Sequence, residues 1–126
     1  MDHTTLVAPE FKIGDEILEL LKAAKFPVTV AAWVLSKELG GWQFVIGTPL
    51  YDKLGAREAY GRLIAAIRAN DPGSMLFDDV RLMSNRNPFI REARRMFEHR
   101  GFKRGVGMAG SIGDMWVDDA RFYYVK

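Results

Sequence analysis

The residues whose spacing points most directly to chemistry are the glycines of Gly105–Gly110, which match the pattern G-x-G-x-x-G. Glycines at this spacing let backbone amides approach a pyrophosphate at the N-terminus of a helix. A dinucleotide-binding fold needs a strand before the pattern and a helix after it, whereas this one follows a predicted helix and precedes only a short tail. The pattern therefore predicts a glycine-rich strand or hairpin loop, although Lys103 and Arg104 beside it leave a generic anion site open.

Ser111 and His99 are the candidates for nucleophilic or acid–base catalysis. The segment Ala109–Gly113 departs from the hydrolase elbow G-x-S-x-G at its first position, and no histidine follows Ser111 to serve as its base. His99 lies among arginines near a predicted helix end, where a surface role is the commoner one. We therefore predict no catalytic residue, and the sequence favours a protein that is not an enzyme.

Metal and thiol chemistry have few possible ligands in this chain. It contains no cysteine, which excludes disulfides and thiolate sites, and only two histidines, His3 and His99. The acidic clusters are Asp78–Asp79 and the group formed by Asp114 with Asp118–Asp119. Adjacent aspartates in a strand point to opposite faces, so each pair offers one ligand per side. We therefore predict no metal and no cofactor.

The basic residues are concentrated in one stretch. Residues 81–104 hold 8 of the 18 Lys+Arg and only 2 of the 16 Asp+Glu, within a chain of net charge +2. Helical spacing places three of these arginines on one outer side, a surface suited to phosphate groups. The alternative is a solvated helix face whose charges pair within the chain, such as Arg94 with Glu98. The candidate residues for binding nucleic acid or another anion are Arg91, Arg94, Arg95, Arg100, Lys103 and Arg104.

Three helices and five strands are predicted to position these residues. Apolar residues at three- and four-residue steps, with Pro27, Pro72 and Gly101 as stop signals, mark the helices. β-branched and aromatic runs with glycine or proline at their ends mark the strands. The predicted helices are Gly14 to before Pro27, about Leu54 to Ala69 with Asp52 as a cap, and Pro88 to Gly101 with Asn87 as N-cap. The predicted strands are 28–35, 42–48, 75–84 and two in the tail, the second at 122–125.

The order α-β-β-α-β-α-β-β predicts a single α+β domain over residues 1–126, in which residues 1–12 form a flexible arm. We expect a mostly antiparallel sheet of about five strands with the helices packed on one face. The other face of the sheet would then expose large apolar strand residues to water. This favours a homodimer, in which a second subunit covers that face. The alternative is that the N-terminal helix and arm cover that face. The candidate interface residues are Trp33, Trp42, Phe44 and Tyr123.

The middle third of the chain resembles a group of short bacterial proteins of unassigned function. The resemblance rests on Phe26–Thr29, on Trp42–Leu50 and on Gly55–Tyr60. It implies a bacterial cytosolic origin and carries no implication about activity.

These observations favour a small cytoplasmic protein that acts as a non-enzymatic protein-interaction or regulatory module and associates with itself. No apolar run reaches the length of a membrane span, and no signal peptide is predicted, so we expect no membrane partner. One alternative is nucleic-acid binding through residues 81–104, and another is a phosphate-bearing ligand held near residues 103–110.

Overall fold

The computed structural model describes residues 8–69, 79–100, 105 and 107–126, and within them the chain is an α+β protein with five strands. Apart from a short 3-10 turn after β1, the described elements in chain order are α1 Ala8–Ala23, β1 Val30–Ser36, β2 Gly41–Thr48, α2 Pro49–Leu54, α3 Ala56–Arg68, β3 Val80–Ser84, α4 Pro88–Arg100, β4 Gly107–Ile112 and β5 Met115–Val125.

The five strands form one mixed sheet in the order β3-β2-β1-β5-β4. The pairs β1–β2, β1–β5 and β4–β5 are antiparallel, whereas β2 and β3 are parallel. Parallel neighbours need a crossover connection, and α2 and α3 supply it. The expectation of a mostly antiparallel sheet is therefore corrected, because the helices between β2 and β3 return the chain to the end of the sheet from which β2 started.

Helices cover the sheet on both faces, which corrects the expectation of helices on one face. On the α1/α3 face, Ile17 and Leu21 of α1 pack with Leu63 and Ile67 of α3 over the sheet. On the opposite face, which we call the α4 face, α4 contributes its own buried residues to a second cluster. These are Phe89, Ile90 and Ala93. The chain thus builds the second layer that a partner subunit was expected to provide.

β1 is the strand that both layers share. Ala31 and Trp33 contribute to the core on the α1/α3 face, while Val30, Ala32 and Val34 contribute to the core on the α4 face. All five side chains are buried, which confirms the prediction of a strand covered on both sides. A strand whose side chains alternate between two apolar layers has no position that suits a polar residue, which explains the unbroken apolar run.

Two helix predictions are corrected. α1 begins at Ala8, so residues 8–12 belong to a helix and not to an arm; Pro9 fits there because the first turn of a helix needs no proline N–H. The expected second helix is two helices, α2 and α3, separated by Gly55 at φ 84°. The Thr48 hydroxyl caps α2 by accepting a hydrogen bond from the Leu50 amide. Asp52 lies inside this helix and therefore does not cap the next one.

Several local signals are confirmed. The Asn87 side chain caps α4 by accepting a hydrogen bond from the Phe89 amide at 2.9 Å. The β1–β2 connection contains Gly40 at φ 79°, in the left-handed region that glycine favours.

In the tail, β4 and β5 are longer than the short strands predicted. The described part of β3 begins at Val80, and residues 75–78 of the predicted strand lie outside the described residues. Among the described helices, none is long and apolar enough to cross a membrane.

Two helical glycines allow the packing of α1 on the sheet to be tested. A Cβ at Gly14 would lie 2.6 Å from Cζ of Tyr123, whereas a Cβ at Gly61 of α3 would meet nothing within 4 Å. Alanine raises helix propensity at both positions by up to about 1 kcal/mol. We expect Gly61→Ala to raise the free energy of unfolding by up to that amount, and Gly14→Ala to lower it by about 1–3 kcal/mol because of overpacking.

Urea denaturation of the two variants and the wild type measures this difference. Tyr123 is buried and contacts Phe44 edge-on with ring centroids 5.3 Å apart, so its ring has little room to yield. Equal effects of the two substitutions would contradict the packing of α1 against Tyr123.

Candidate interaction surfaces

The arginine face is the outer side of α4, formed by Arg91, Arg94 and Arg95, and all three side chains are exposed as predicted. Burial of Phe89, Ile90 and Ala93 on the inner side of the helix fixes this orientation. Arg100 is the last residue of α4, but its side chain lies outside the described residues, as do Lys103 and Arg104 altogether. Only the first half of the predicted basic surface therefore has a described geometry.

Arg94 and Arg95 have partners within the described part of the chain. Arg95 forms an ion pair with Glu92, which lowers the pKa of Glu92 through a hydrogen bond and raises the pKa of Arg95. Nε of Arg94 donates to the main-chain oxygen of Lys126 at 3.1 Å. The expected pair of Arg94 with Glu98 is therefore corrected, because the end of β5 lies within reach of the Arg94 side chain.

A groove separates the arginine face from the end of β5. Its volume is about 530 Å³. Among the described residues, four cationic side chains line it, three from α4 and the fourth from Lys126, together with one side-chain carboxylate, that of Glu98. Half-buried Phe97 and Val125 supply apolar surface at the same place. The groove thus combines positive charge with an apolar lining.

The glycine-rich segment is part of a strand and not a phosphate loop. Gly107–Ile112 forms β4, which pairs with β5. This confirms the strand interpretation over the dinucleotide one, since no helix begins after these glycines in the described part of the tail. Ser111 is exposed on β4, and the side chain of His99 lies outside the described residues. The anion site expected at Lys103 and Arg104 lies outside them as well.

The four aromatic candidates for a dimer interface do not form a surface. Trp33, Phe44 and Tyr123 are buried inside the chain, with exposed fractions of 6%, 0% and 4%. Trp42 is half-buried and packs against the same cluster beneath α1 and α3. This corrects the interface prediction: the face that these residues share is covered by the chain's own helices. The indole nitrogens of Trp33 and Trp42 are buried without a hydrogen-bond partner among the described residues.

A different apolar surface lies open at the β4 end of the sheet. Trp116 of β5 is 63% exposed and is the most exposed large hydrophobic residue described. It points away from Met115 and Val117, which belong to the core on the α4 face. Its nearest neighbours on the same face of β4 are small and exposed, namely Ala109 and Ser111. The helices of the α1/α3 face do not cover this part of the sheet.

The two edges of the sheet differ. At the β3 edge, the Leu82 amide donates to the hydroxyl of Tyr60 on α3 at 2.9 Å, so the chain's own helix satisfies a donor of that strand. At the other edge, β4 pairs only with β5 within the described part of the chain. β4 contains neither a charged residue nor a proline, the usual features that protect a free edge from pairing.

A polar cluster at the carboxyl ends of the parallel strands β2 and β3 was not predicted. The Asp52 carboxylate accepts hydrogen bonds from the Ser84 hydroxyl and, at 3.1 Å, from the Asn85 amide. The hydroxyl of Thr29 donates to Asn85 at 2.6 Å, and the Arg86 guanidinium lies 4.0 Å from Asp52. The only sequence signal was the polar run after β3, which does not reveal Asp52 as its partner. The cluster ties α2 to the loop before α4.

The remaining aspartates do not assemble a metal site in the described ranges. Asp119 forms an ion pair with Arg121 two residues along β5, at 3.3 Å. Asp114 lies in the β4–β5 turn, and Asp78 lies outside the described residues. Among the residues that are described, no group of three potential ligands converges.

Comparison with known proteins leaves the function to be inferred from this geometry. No family model matches the chain, and neither a curated protein nor a solved structure matches it. The resemblance to short bacterial proteins stays a prediction.

The Asp52 cluster predicts a specific pH dependence of stability. The hydrogen bond from Ser84 lowers the pKa of Asp52 below its ordinary value of 3.8, with the Asn85 amide and Arg86 adding to the effect. A depressed folded-state pKa gives stability that is present above the unfolded value and lost as the pH falls through the folded one. We expect Asp52→Asn to lower the free energy of unfolding by about 1 kcal/mol at neutral pH, and by progressively less below pH 3.8.

Thermal unfolding of both proteins between pH 2 and pH 7 tests this. Asp114→Asn removes an exposed carboxylate in the β4–β5 turn and is the matched control for the change from Asp to Asn. A constant difference between the wild type and Asp52→Asn across the range would contradict the role given to the carboxylate.

Proposed function

We propose that this protein is a non-enzymatic interaction module of the cytoplasm that associates with a second copy of itself through the free edge of β4. The single observation that carries the proposal is Trp116, which is 63% exposed beside that edge. Exposed tryptophans are costly on a surface that contacts only water, and they are enriched among the residues that dominate protein interfaces.

The edge itself favours pairing with another strand. Within the described part of the chain, the outward-directed backbone groups of alternate residues in β4, Gly107–Ile112, have no partner strand. The extra residue in the β4–β5 register lies on β5, since Met108–Gly110 faces Val117–Ala120. The extra residue therefore bends β5, and opposite it β4 departs from extended geometry at Gly110, where φ is 119°.

A second copy suits this edge because β4 carries no charge. Antiparallel pairing of β4 with β4 of another copy brings no like charges opposite one another, a condition that charged edges fail. The small residues Ala109 and Ser111 leave space above the strand for a large side chain, whereas the Arg121–Asp119 ion pair lies over Gly107. Trp116, opposite Ser111 in the register, lies beside that space. Two-fold pairing then places two indoles over a strip of small residues, and the sheet continues into the second subunit.

Nucleic-acid binding through the arginine face has less support. Arg95 is paired with Glu92, so one of the three described charges of this face is neutralised within the chain. This favours the solvated-face interpretation of α4 over a surface built for a long polyanion.

Replacement of Trp116 should break self-association. We expect the wild type to sediment as a dimer and Trp116→Thr to raise the dimer dissociation constant by about thirty-fold, the effect of losing a contact of about 2 kcal/mol. Threonine keeps the strand preference of the position. Sedimentation velocity across a concentration series measures the constant.

Tyr124→Thr is the matched control. Tyr124 is 40% exposed on the same strand but lies near α1, far along β5 from Trp116, so its loss should leave the constant unchanged. Amide hydrogen exchange adds a second readout, since residues 107–112 should become protected as protein concentration rises. A monomer at high concentration, or a dimer insensitive to Trp116→Thr, would refute the proposal.

A further inference from the structure

We propose that the groove between the arginine face and the end of β5 binds a small organic anion, one that carries a carboxylate or phosphate group on an apolar body. This surface lies on the α4 face, whereas the self-association proposed above uses Trp116 on the other face of the sheet. The two proposals therefore stand or fall separately.

The size of the groove suits such a ligand. Its volume is about 530 Å³. Sites for small molecules range from roughly 300 to 1,000 Å³. The groove is open along one side, so a ligand would lie with one surface against α4 and β5 and the other toward solvent.

The charges that line the groove leave positive charge for a ligand. Arg95 lines the groove but is already paired with Glu92, which does not line it. Among the described lining residues, Arg91, Arg94 and Lys126 remain, against one side-chain carboxylate, that of Glu98. A cationic groove of this composition selects anions over neutral molecules of the same shape.

Arg94 is the best-positioned of these cations. Its Nε donates to the main-chain oxygen of Lys126 at 3.1 Å, which holds the guanidinium at the junction of α4 and β5. A guanidinium fixed through Nε still presents its terminal N–H groups, the pair that matches the two oxygens of a carboxylate or phosphate. Less side-chain entropy is lost on binding when the donor is already held.

The apolar lining explains why an inorganic anion alone is a poor fit. Phe97 and Val125 are half-buried and border the groove. The Phe97 ring packs edge-on against Phe122 with centroids 5.0 Å apart, so this surface is firmly seated on the core. An apolar body laid on Phe97 and Val125 removes their exposed area from water, a gain that a bare phosphate ion does not offer.

The same features argue against a nucleic acid as the occupant. A duplex needs several cations spaced along its backbone, and phosphates gain nothing from an apolar floor. The described groove offers one cluster of charge in the middle of a 13-residue helix. A single headgroup with an attached apolar body uses both parts of the site.

Titration of the ¹⁵N-labelled full chain with four probes tests the assignment. The probes are phenyl phosphate, phenylacetate, inorganic phosphate and phenol. We expect the two aromatic anions to shift the amide signals of Phe97 and Val125 in a saturable way. Inorganic phosphate and phenol should each bind at least ten-fold more weakly, because each offers only half of the required chemistry. The two aromatic anions also distinguish a phosphate preference from a carboxylate one.

Charge-matched variants complete the test. Arg94→Gln and Arg91→Gln should each weaken binding of phenyl phosphate at least five-fold. Arg57→Gln, which removes the same charge from exposed α3 on the other face, should leave it unchanged. An amide spectrum that matches the wild type away from the substituted residue verifies that each variant is folded.

Three results would overturn the proposal: no saturable shift at Phe97 or Val125 up to millimolar probe, phenol binding as well as the anions, or equal weakening by Arg57→Gln. Tighter binding of a 20-base-pair duplex than of either aromatic anion, with the same residues affected, would replace the small anion with nucleic acid.

Discussion

The burial of β1 on both faces is the constraint on which the rest of the structure depends. Alternate side chains of this strand enter two separate cores, one under α1 and α3 and the other under α4. A strand with apolar side chains on both sides is stable only when helices are available for each layer. The chain meets this need by sending α2 and α3 over one face, between β2 and β3, and α4 over the other, between β3 and β4. The parallel pairing of β2 with β3 is a consequence of that route and not an independent choice.

Sequence reasoning predicted the parts of this fold that are encoded locally. Asn87–Pro88 defines the start of α4 because both the cap and the proline act within one turn. The apolar run of β1 predicts double burial because the signal lies in the strand itself. The side of the sheet on which each helix packs is encoded nowhere locally. Trp33, Phe44 and Tyr123 were correctly identified as large apolar strand residues, but the sequence does not state that α1 and α3 cover them, so the prediction assigned them to a partner.

The surfaces show the same division between local and distant information. Helical spacing places Arg91, Arg94 and Arg95 together, and the structure agrees. The partners of these arginines depend on distances that spacing does not determine: Arg94 reaches the main chain at Lys126, 32 residues away, and not Glu98 on the next turn. The Asp52 cluster was invisible for a similar reason, since its carboxylate and the Ser84 hydroxyl are 32 residues apart in the chain. The exposure of Trp116 depends on where the helices of the α1/α3 face end, which is determined by the fold of the whole chain.

The exposed arginines of α4 are therefore weak evidence of function when taken alone. An amphipathic helix that buries Phe89, Ile90 and Ala93 must turn its other residues outward, and charged residues there keep the surface soluble. What distinguishes this face from an ordinary solvated one is the end of β5, which brings Val125 and Lys126 beside it and encloses a groove. Likewise, a free sheet edge is common, but one without charges, next to a tryptophan that no described helix covers, is not. In both places function is inferred from two elements that meet, because the features of a single element are explained by its own folding.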